Sequence, residues 1–162
     1  MSFIKLIIFN FLVGVVIIYA SHAKADNLSC LAEAVYFEAR SEPFVAQLAV
    51  ANVVLTRVES PRYPDSICDV VHQAKKWKGK PIRNKCQFSY WCDGKPETIA
   101  NVDAYQESVS AAELALQGVI LSQTEGATHY HAAYVNPYWA IDEEFLTLGQ
   151  VGGHIFYVDT RN

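Results

Sequence analysis

The sequence predicts an α+β domain, mostly helical, with a small β element near its C-terminus. Three observations carry that class. Apolar residues recur at helical spacing across residues 28–57, a capped helical stretch covers 103–117, and short aromatic-rich segments bounded by glycines follow residue 126. With 162 residues, 51% hydrophobic and 19% charged, the chain suits a single globular domain.

In chain order, the first element is an export signal. Lys5 precedes Leu6 to Ala20, an apolar run broken only by Asn10, and Ala23-Lys24-Ala25 supplies small residues for a cleavage site. The run is shorter than the about 20 residues of a membrane span. Residues 1–25 are therefore expected to be a signal peptide, with a signal anchor as the alternative. Cleavage leaves 162 − 25 = 137 residues, 26–162, enough for a sizeable core. It also removes two lysines, taking the formal charge from −4 to −6. An acidic domain without a basic stripe disfavours nucleic acid as partner.

Leu28, Leu31, Val35 and Ala39 predict an amphipathic helix from Leu28 to about Ala39, with Asp26 or Asn27 as N-cap. Pro43, as a first helical residue, places a corner near Ser41-Glu42. Phe44, Leu48, Ala51 and Leu55 give the next helix one apolar face, to about Arg57. After the turn Ser60-Pro61-Arg62-Tyr63-Pro64, Asp65 or Ser66 can cap a short helix reaching about Gln73, with Ile67, Val70 and Val71 inward.

Residues 74–85 hold Lys75, Lys76, Lys78, Lys80, Arg83 and Lys85. They read as a solvated loop, or as a rim meeting anionic carboxylates of a polymer. Cys86 to Gly94 packs Phe88, Tyr90 and Trp91 into a few residues, either as core plugs or as a platform for sugar rings. Asp103 can cap a helix through Gln117, with Val109, Ala112 and Leu116 along one face and Gly118 ending it. Residues 128–132 and 154–158 read as strands of a small sheet, with 141–148 helical between them.

The four cysteines, Cys30, Cys68, Cys86 and Cys92, favour disulfides after an export signal. Of three connectivities, Cys86–Cys92 is favoured because a short closure staples the aromatic loop, which leaves Cys30–Cys68.

Glu38 falls in the last turn of the first helix. The negative end of the helix dipole and burial against Tyr36 and Phe37 both favour its protonated form. A carboxylic acid protonated near neutral pH is what glycoside cleavage needs, because the leaving oxygen must receive a proton. The plainer alternative is a surface carboxylate paired with Arg40. His129 and His131 share one face of a strand, and with His154 they raise the question of a zinc site. H-E-x-x-H is missing, however, and packing roles are the simpler account. No G-x-S-x-G elbow occurs, and the cysteines are better explained as bridges than as nucleophiles.

The run YFEARSEPFVAQLAVANVVLTRVESPRYPDSICDVV resembles the SleB/CwlJ-type cell-wall hydrolases, as do CQFSYWCDG (86–94), GATHYHAAYVNPYW (126–139) and GGHIFYV (152–158), in that family's order. The likeness implies a lysozyme-like catalytic domain over 26–162. It implies a peptidoglycan-degrading enzyme, without cofactor or metal, that cuts the β-1,4 bond between N-acetylmuramic acid and N-acetylglucosamine, as a lytic transglycosylase giving 1,6-anhydro ends. It implies Glu38 as the catalytic acid and places Glu42, Gln87, Phe88, Tyr90, Trp91, His129, Tyr130 and His131 around the substrate. Ser41 stands where the family more often has Gly. The expected protein is a monomer acting on glycan strands in the periplasm, cell wall or medium, tethered to a membrane only if the signal is retained. A hydrolytic muramidase and a non-catalytic exported glycan-binding module are the alternatives.

Overall fold

The structure is a computed structural model describing residues 26–161; the expected signal segment, 1–25, lies outside the described residues. Helix α1 (26–39) turns at 40–43 into α2 (Phe44–Glu59). The predicted corner is present: Glu42 N–H donates to Ala39 O at 2.9 Å, and Pro43 is extended (φ −55°, ψ 148°). Pro43 is thus the N-cap rather than the first helical residue. Ser41 needs no special backbone, since the positive-φ residues other than glycine are Lys78 and Asn84 among the described residues.

Helix α2 is the centre of the domain. The sequence suggests one apolar face, but Ala46, Gln47, Leu48, Ala49, Val50, Ala51, Asn52, Val53, Val54 and Arg57 are all buried. A helix apolar on most sides belongs in the interior, and α1, α3, α4 and the C-terminal sheet surround it. Its three buried polar side chains each satisfy a neighbour, as buried polar groups must. Gln47 donates to Glu42 O at 3.2 Å and accepts from Ser108 Oγ at 3.0 Å. Asn52 donates to Val119 O and accepts from Leu121 N–H, fixing the chain after α4. Arg57 Nε donates to Thr128 O at 2.8 Å, fixing the entry to the sheet.

Helix α3 (Ile67–Val71) is capped by Ser66, whose Oγ accepts from Asp69 N–H. The Cys30–Cys68 bridge ties it to α1. The basic segment expected as a loop is instead a hairpin, β1 (Ala74–Trp77) against β2 (Lys80–Cys86), closed by Lys78-Gly79. Both turn residues take positive φ, 49° and 79°, the twist that favours two-residue hairpins. The Cys86–Cys92 bridge and Arg83 Nε donating to Asp93 O at 2.9 Å anchor its base.

Helix α4 (Val102–Leu116) begins two residues earlier than predicted. Asn101, not Asp103, is the cap, its Oδ1 accepting from Ala104 N–H. The buried face is correspondingly Ser108, Ala111, Ala112 and Ala115, while Leu116 is 37% exposed. Three strands close the domain in antiparallel order β3 (His129–Ala132), β5 (His154–Asp159), β4 (Phe145–Val151). The helix expected at 141–148 is a short 3-10 turn, Tyr138–Ile141, and then β4. Glycines 152 and 153 make the β4–β5 turn, and there only glycine fits. A Cβ on Gly152 would sit 2.6 Å from Glu42 Oε2 and 2.8 Å from Ala46 Cβ, at φ +57°.

Candidate active site

Glu38 lies in the last turn of α1, half-buried, where α1 meets the aromatic loop and β3. Tyr130 OH donates to Glu38 Oε2 at 3.4 Å, and a Ser89 backbone N–H donates to the same carboxylate. Beneath it, Phe37 stacks on Tyr90 with centroids 4.5 Å apart. Burial holds the Glu38 carboxyl above the usual carboxylate range; the Tyr130 hydroxyl, the Arg57 charge and the Ser89 N–H oppose it. Burial and the neighbouring Glu38 charge keep the Tyr130 hydroxyl protonated, and therefore a donor, well above the usual tyrosine range.

Arg57 is absent from the sequence-based candidates. It is 5% exposed, and its guanidinium lies 5.5 Å from the Phe88 ring centre and 5.3 Å from that of Tyr63. Its signal in the sequence is a lone cation continuing the buried stripe of α2 after Val50, Val53 and Val54. Its charge reaches both Glu38 and Tyr130.

The expected substrate-contacting residues divide. Phe88 is 1% exposed and belongs to the core beneath Arg57, so its ring is no platform for a sugar. Tyr90, 8% exposed, is also largely a core residue, yet it borders a cleft of about 420 Å³ together with Tyr36, Ser89 and Asn101. Its hydroxyl is buried with no hydrogen-bond partner among the described residues. Trp91 stacks on His72 with centroids 3.7 Å apart. Gln87 is exposed and lines a second groove of about 790 Å³ with Tyr138 and Trp139. Phe37, the neighbour of Glu38 in α1, and Ser89 both line the first cleft, while Glu38 itself lines neither groove.

Glu42 accepts from Gly153 N–H at 2.6 Å, so its carboxylate fastens the α1–α2 corner to the β4–β5 turn. Its position is better explained by that clasp than by substrate contact.

The histidines do not converge. In the β3–β5 register Tyr130 faces Phe156 and Ala132 faces His154, while His129 and His131 pair with Tyr157 and Ile155. Cross-strand partners share a face, so His154 lies on Tyr130's side of the sheet and the other two on the opposite side. His129 Nδ1 contacts Thr128 Oγ1 at 3.0 Å; burial, with the Arg57 charge adding to it, lowers its pKa to about 4, leaving it neutral. His131 Nε2 contacts Tyr157 OH at 2.9 Å and Nδ1 contacts Ala132 O at 3.0 Å. No three His, Cys, Asp or Glu side chains gather as a metal-binding group among the described residues.

Removing the Tyr130 hydroxyl tests the contact with Glu38. That hydrogen bond favours the carboxylate, so Tyr130→Phe raises the Glu38 pKa further. The alkaline limb of the kcat/KM profile then moves to higher pH, with kcat reduced about tenfold for the loss of one hydrogen bond to a charged group. A profile with an unmoved alkaline limb would show that the contact does not operate in the reaction.

The sequence profile of the Cell Wall Hydrolase family matches residues 41–157, starting three residues after Glu38. The spore cortex-lytic enzyme of Halalkalibacterium halodurans is 46% identical over 48 residues, covering 30% of this chain and 14% of that protein. The corresponding enzyme of Bacillus subtilis is 44% identical over 48 residues, covering 30% and 16%. The matched stretch is thus about a sixth of the length of these relatives. Among solved structures, the catalytic domain of the germination-specific lytic transglycosylase SleB from Bacillus anthracis superposes with a TM-score of 0.60 at 26% identity, over 81% of this chain and 93% of that domain. The catalytic domain of the Bacillus cereus SleB protein gives 0.56 at 25% identity, over 82% and 90%. The fold is that of these domains, in keeping with the lysozyme-like expectation. With the match spanning residues 41–157 and the fold shared across both catalytic domains, the chain belongs to the cell wall hydrolase family.

Proposed function

We propose that the protein cleaves the β-1,4 bond between N-acetylmuramic acid and N-acetylglucosamine in peptidoglycan, as a lytic transglycosylase with Glu38 as its single acid and base. The observation that carries this reading is the Glu38 carboxyl itself, raised by burial, held by Tyr130 OH and Ser89 N–H, beside the cleft that Phe37 and Ser89 line. Protonated Glu38 gives its proton to the leaving glycosidic oxygen. The resulting carboxylate, stabilised by the same two donors and by the Arg57 field, takes the proton of the muramic acid 6-hydroxyl as that oxygen attacks the anomeric carbon. One carboxyl then serves both steps. Glu42 is not needed as a second acid or base, which accords with its contact to Gly153.

The export signal expected in residues 1–25 accords with the same reading. The Ala23-Lys24-Ala25 site precedes the described residues, and two disulfides suit an oxidising compartment outside the cytoplasm.

The test is the mass of the products. Digestion of purified peptidoglycan is expected to release muropeptides one water lighter than hydrolytic ones, with no reducible end. Reducible muramic ends would mean that water attacks, and the enzyme would be a muramidase. Binding to peptidoglycan without any new chain ends would make it a glycan-binding module.

A further inference from the structure

The charge on this protein is divided sharply. Lys75, Lys76, Lys78, Lys80, Arg83 and Lys85 put 6 of the chain's 13 Lys and Arg on the β1–β2 hairpin, while all 17 Asp and Glu lie elsewhere. Such a patch on an otherwise acidic protein attracts an anionic partner.

The base of the hairpin forms one wall of the 790 Å³ groove, with Lys75 and Lys85 lining it. Neither takes part in an ion pair among the described residues. Gln73 lines the same groove, and its amide oxygen is buried without a hydrogen-bond partner among the described residues. A buried acceptor without a partner is costly unless a ligand supplies an N–H. Tyr138 and Trp139 form the opposite wall, with Tyr138 88% exposed.

The hairpin wall runs toward Glu38. Gln87 lies two residues before Ser89, whose N–H holds the carboxylate. The Trp139 ring centre is 5.4 Å from that of His129 and 5.6 Å from that of His131, on the sheet face opposite Tyr130, so the aromatic wall carries the groove away from Glu38.

We infer that this groove receives the peptide stem carried by the muramic acid next to the cleaved bond. This rests on the peptidoglycan reading above. Lys75 and Lys85 pair with stem carboxylates, Gln73 accepts a peptide N–H, and the enzyme selects peptide-bearing strands over bare glycan. An anionic lipid surface would use the hairpin tip instead, where Trp77 is 71% and Ile82 39% exposed. It would leave the Gln73 oxygen without an N–H and would not involve the aromatic wall.

The experiment measures binding and cleavage separately. Sedimentation of the Glu38→Gln protein with intact sacculi and with glycan stripped of peptides by an amidase reads binding without turnover. About tenfold tighter binding to intact sacculi is expected, weakening as salt screens the charges. A second protein, Lys75→Glu/Lys85→Glu on the same background, should bring the ratio between the two polymers to about one. Gln73→Leu should lower the ratio without altering its salt dependence. Equal binding of the parent protein to both polymers, or a ratio unchanged by the charge reversals, would overturn the inference. Capture by phosphatidylglycerol vesicles with no stem-dependent ratio would also overturn it and assign the hairpin to a membrane surface. Cleavage assays of the protein with Glu38 intact report on the glycosidase reading by themselves. Chain ends from both polymers at equal rates would sustain that reading while the stem inference falls.

Discussion

Glu38→Gln is expected to lower kcat on peptidoglycan by about a thousandfold while leaving the fold and strand binding in place. The amide is nearly isosteric with the carboxyl and keeps the contacts with Tyr130 OH and Ser89 N–H, but it has no proton to give the leaving oxygen. In the proposed mechanism a single group acts as acid and then as base, which makes the loss larger than removal of one of two catalytic carboxylates would. The sign of the stability effect provides a control. The folded-state pKa of Glu38 is raised by burial, so its stability contribution is fully present below the unfolded pKa and is lost as pH rises through the folded value. The glutamine variant carries no such loss, and near neutral pH it should be at least as stable as the parent. The active protein should lose its acid along the same rising-pH limb. A glutamine variant with near-normal turnover would remove Glu38 from the mechanism and turn attention to the unpartnered Tyr90 hydroxyl and the carboxylates near it, Glu33 and Glu97.

The helical half was legible because period and punctuation agreed. Leu31, Val35 and Ala39 marked the inner face of α1, and Pro43 marked the corner. Glu38 could be singled out because the corner fixes it in a last turn beside aromatic residues. The errors have distinct physical causes. The Lys-rich hairpin lacks alternating apolar residues; a turn with two positive φ values and a disulfide at its base impose the strands, and composition does not show either. The β4 strand was hidden because Asp142, Glu143 and Glu144 before it suggest a helix start, whereas Thr147, the kinked Gly149 and the Gly152-Gly153 turn set a hairpin. Where the three histidines stand relative to one another depends on register, which no spacing within one strand reveals: pairing Ala132 with His154 sends that imidazole to the other face. Phe88 and Arg57 are linked in the same way. An aromatic residue on a loop and a cation near a helix end both look exposed in sequence, yet each supplies the other's burial.

Removing the Cys30–Cys68 bridge with a double Cys→Ala change is expected to cost about 4 kcal/mol of stability. The bridge spans 38 residues, and closing a loop of that length removes about that much chain entropy from the unfolded state. For a domain of this size the melting temperature should fall by roughly 10–15 °C. The bridge acts at the packing of α1 on α3, away from the grooves, so kcat measured well below the new melting point should change little. Cys86–Cys92 spans only 6 residues, and the same relation gives about 2 kcal/mol for its loss. Its catalytic effect should be the larger of the two, because the closed loop contains Gln87, Phe88 and Ser89. Gln87 lines the larger groove, Phe88 packs against Arg57 and Ser89 supplies the N–H to Glu38. Two bridges in one domain therefore separate folding from function: one variant melts early and turns over normally, the other melts late and turns over poorly. Urea unfolding and initial rates on the two variants check the pair together, and a reversed pattern would mean that the α1–α3 junction, rather than the aromatic loop, sets the position of Glu38.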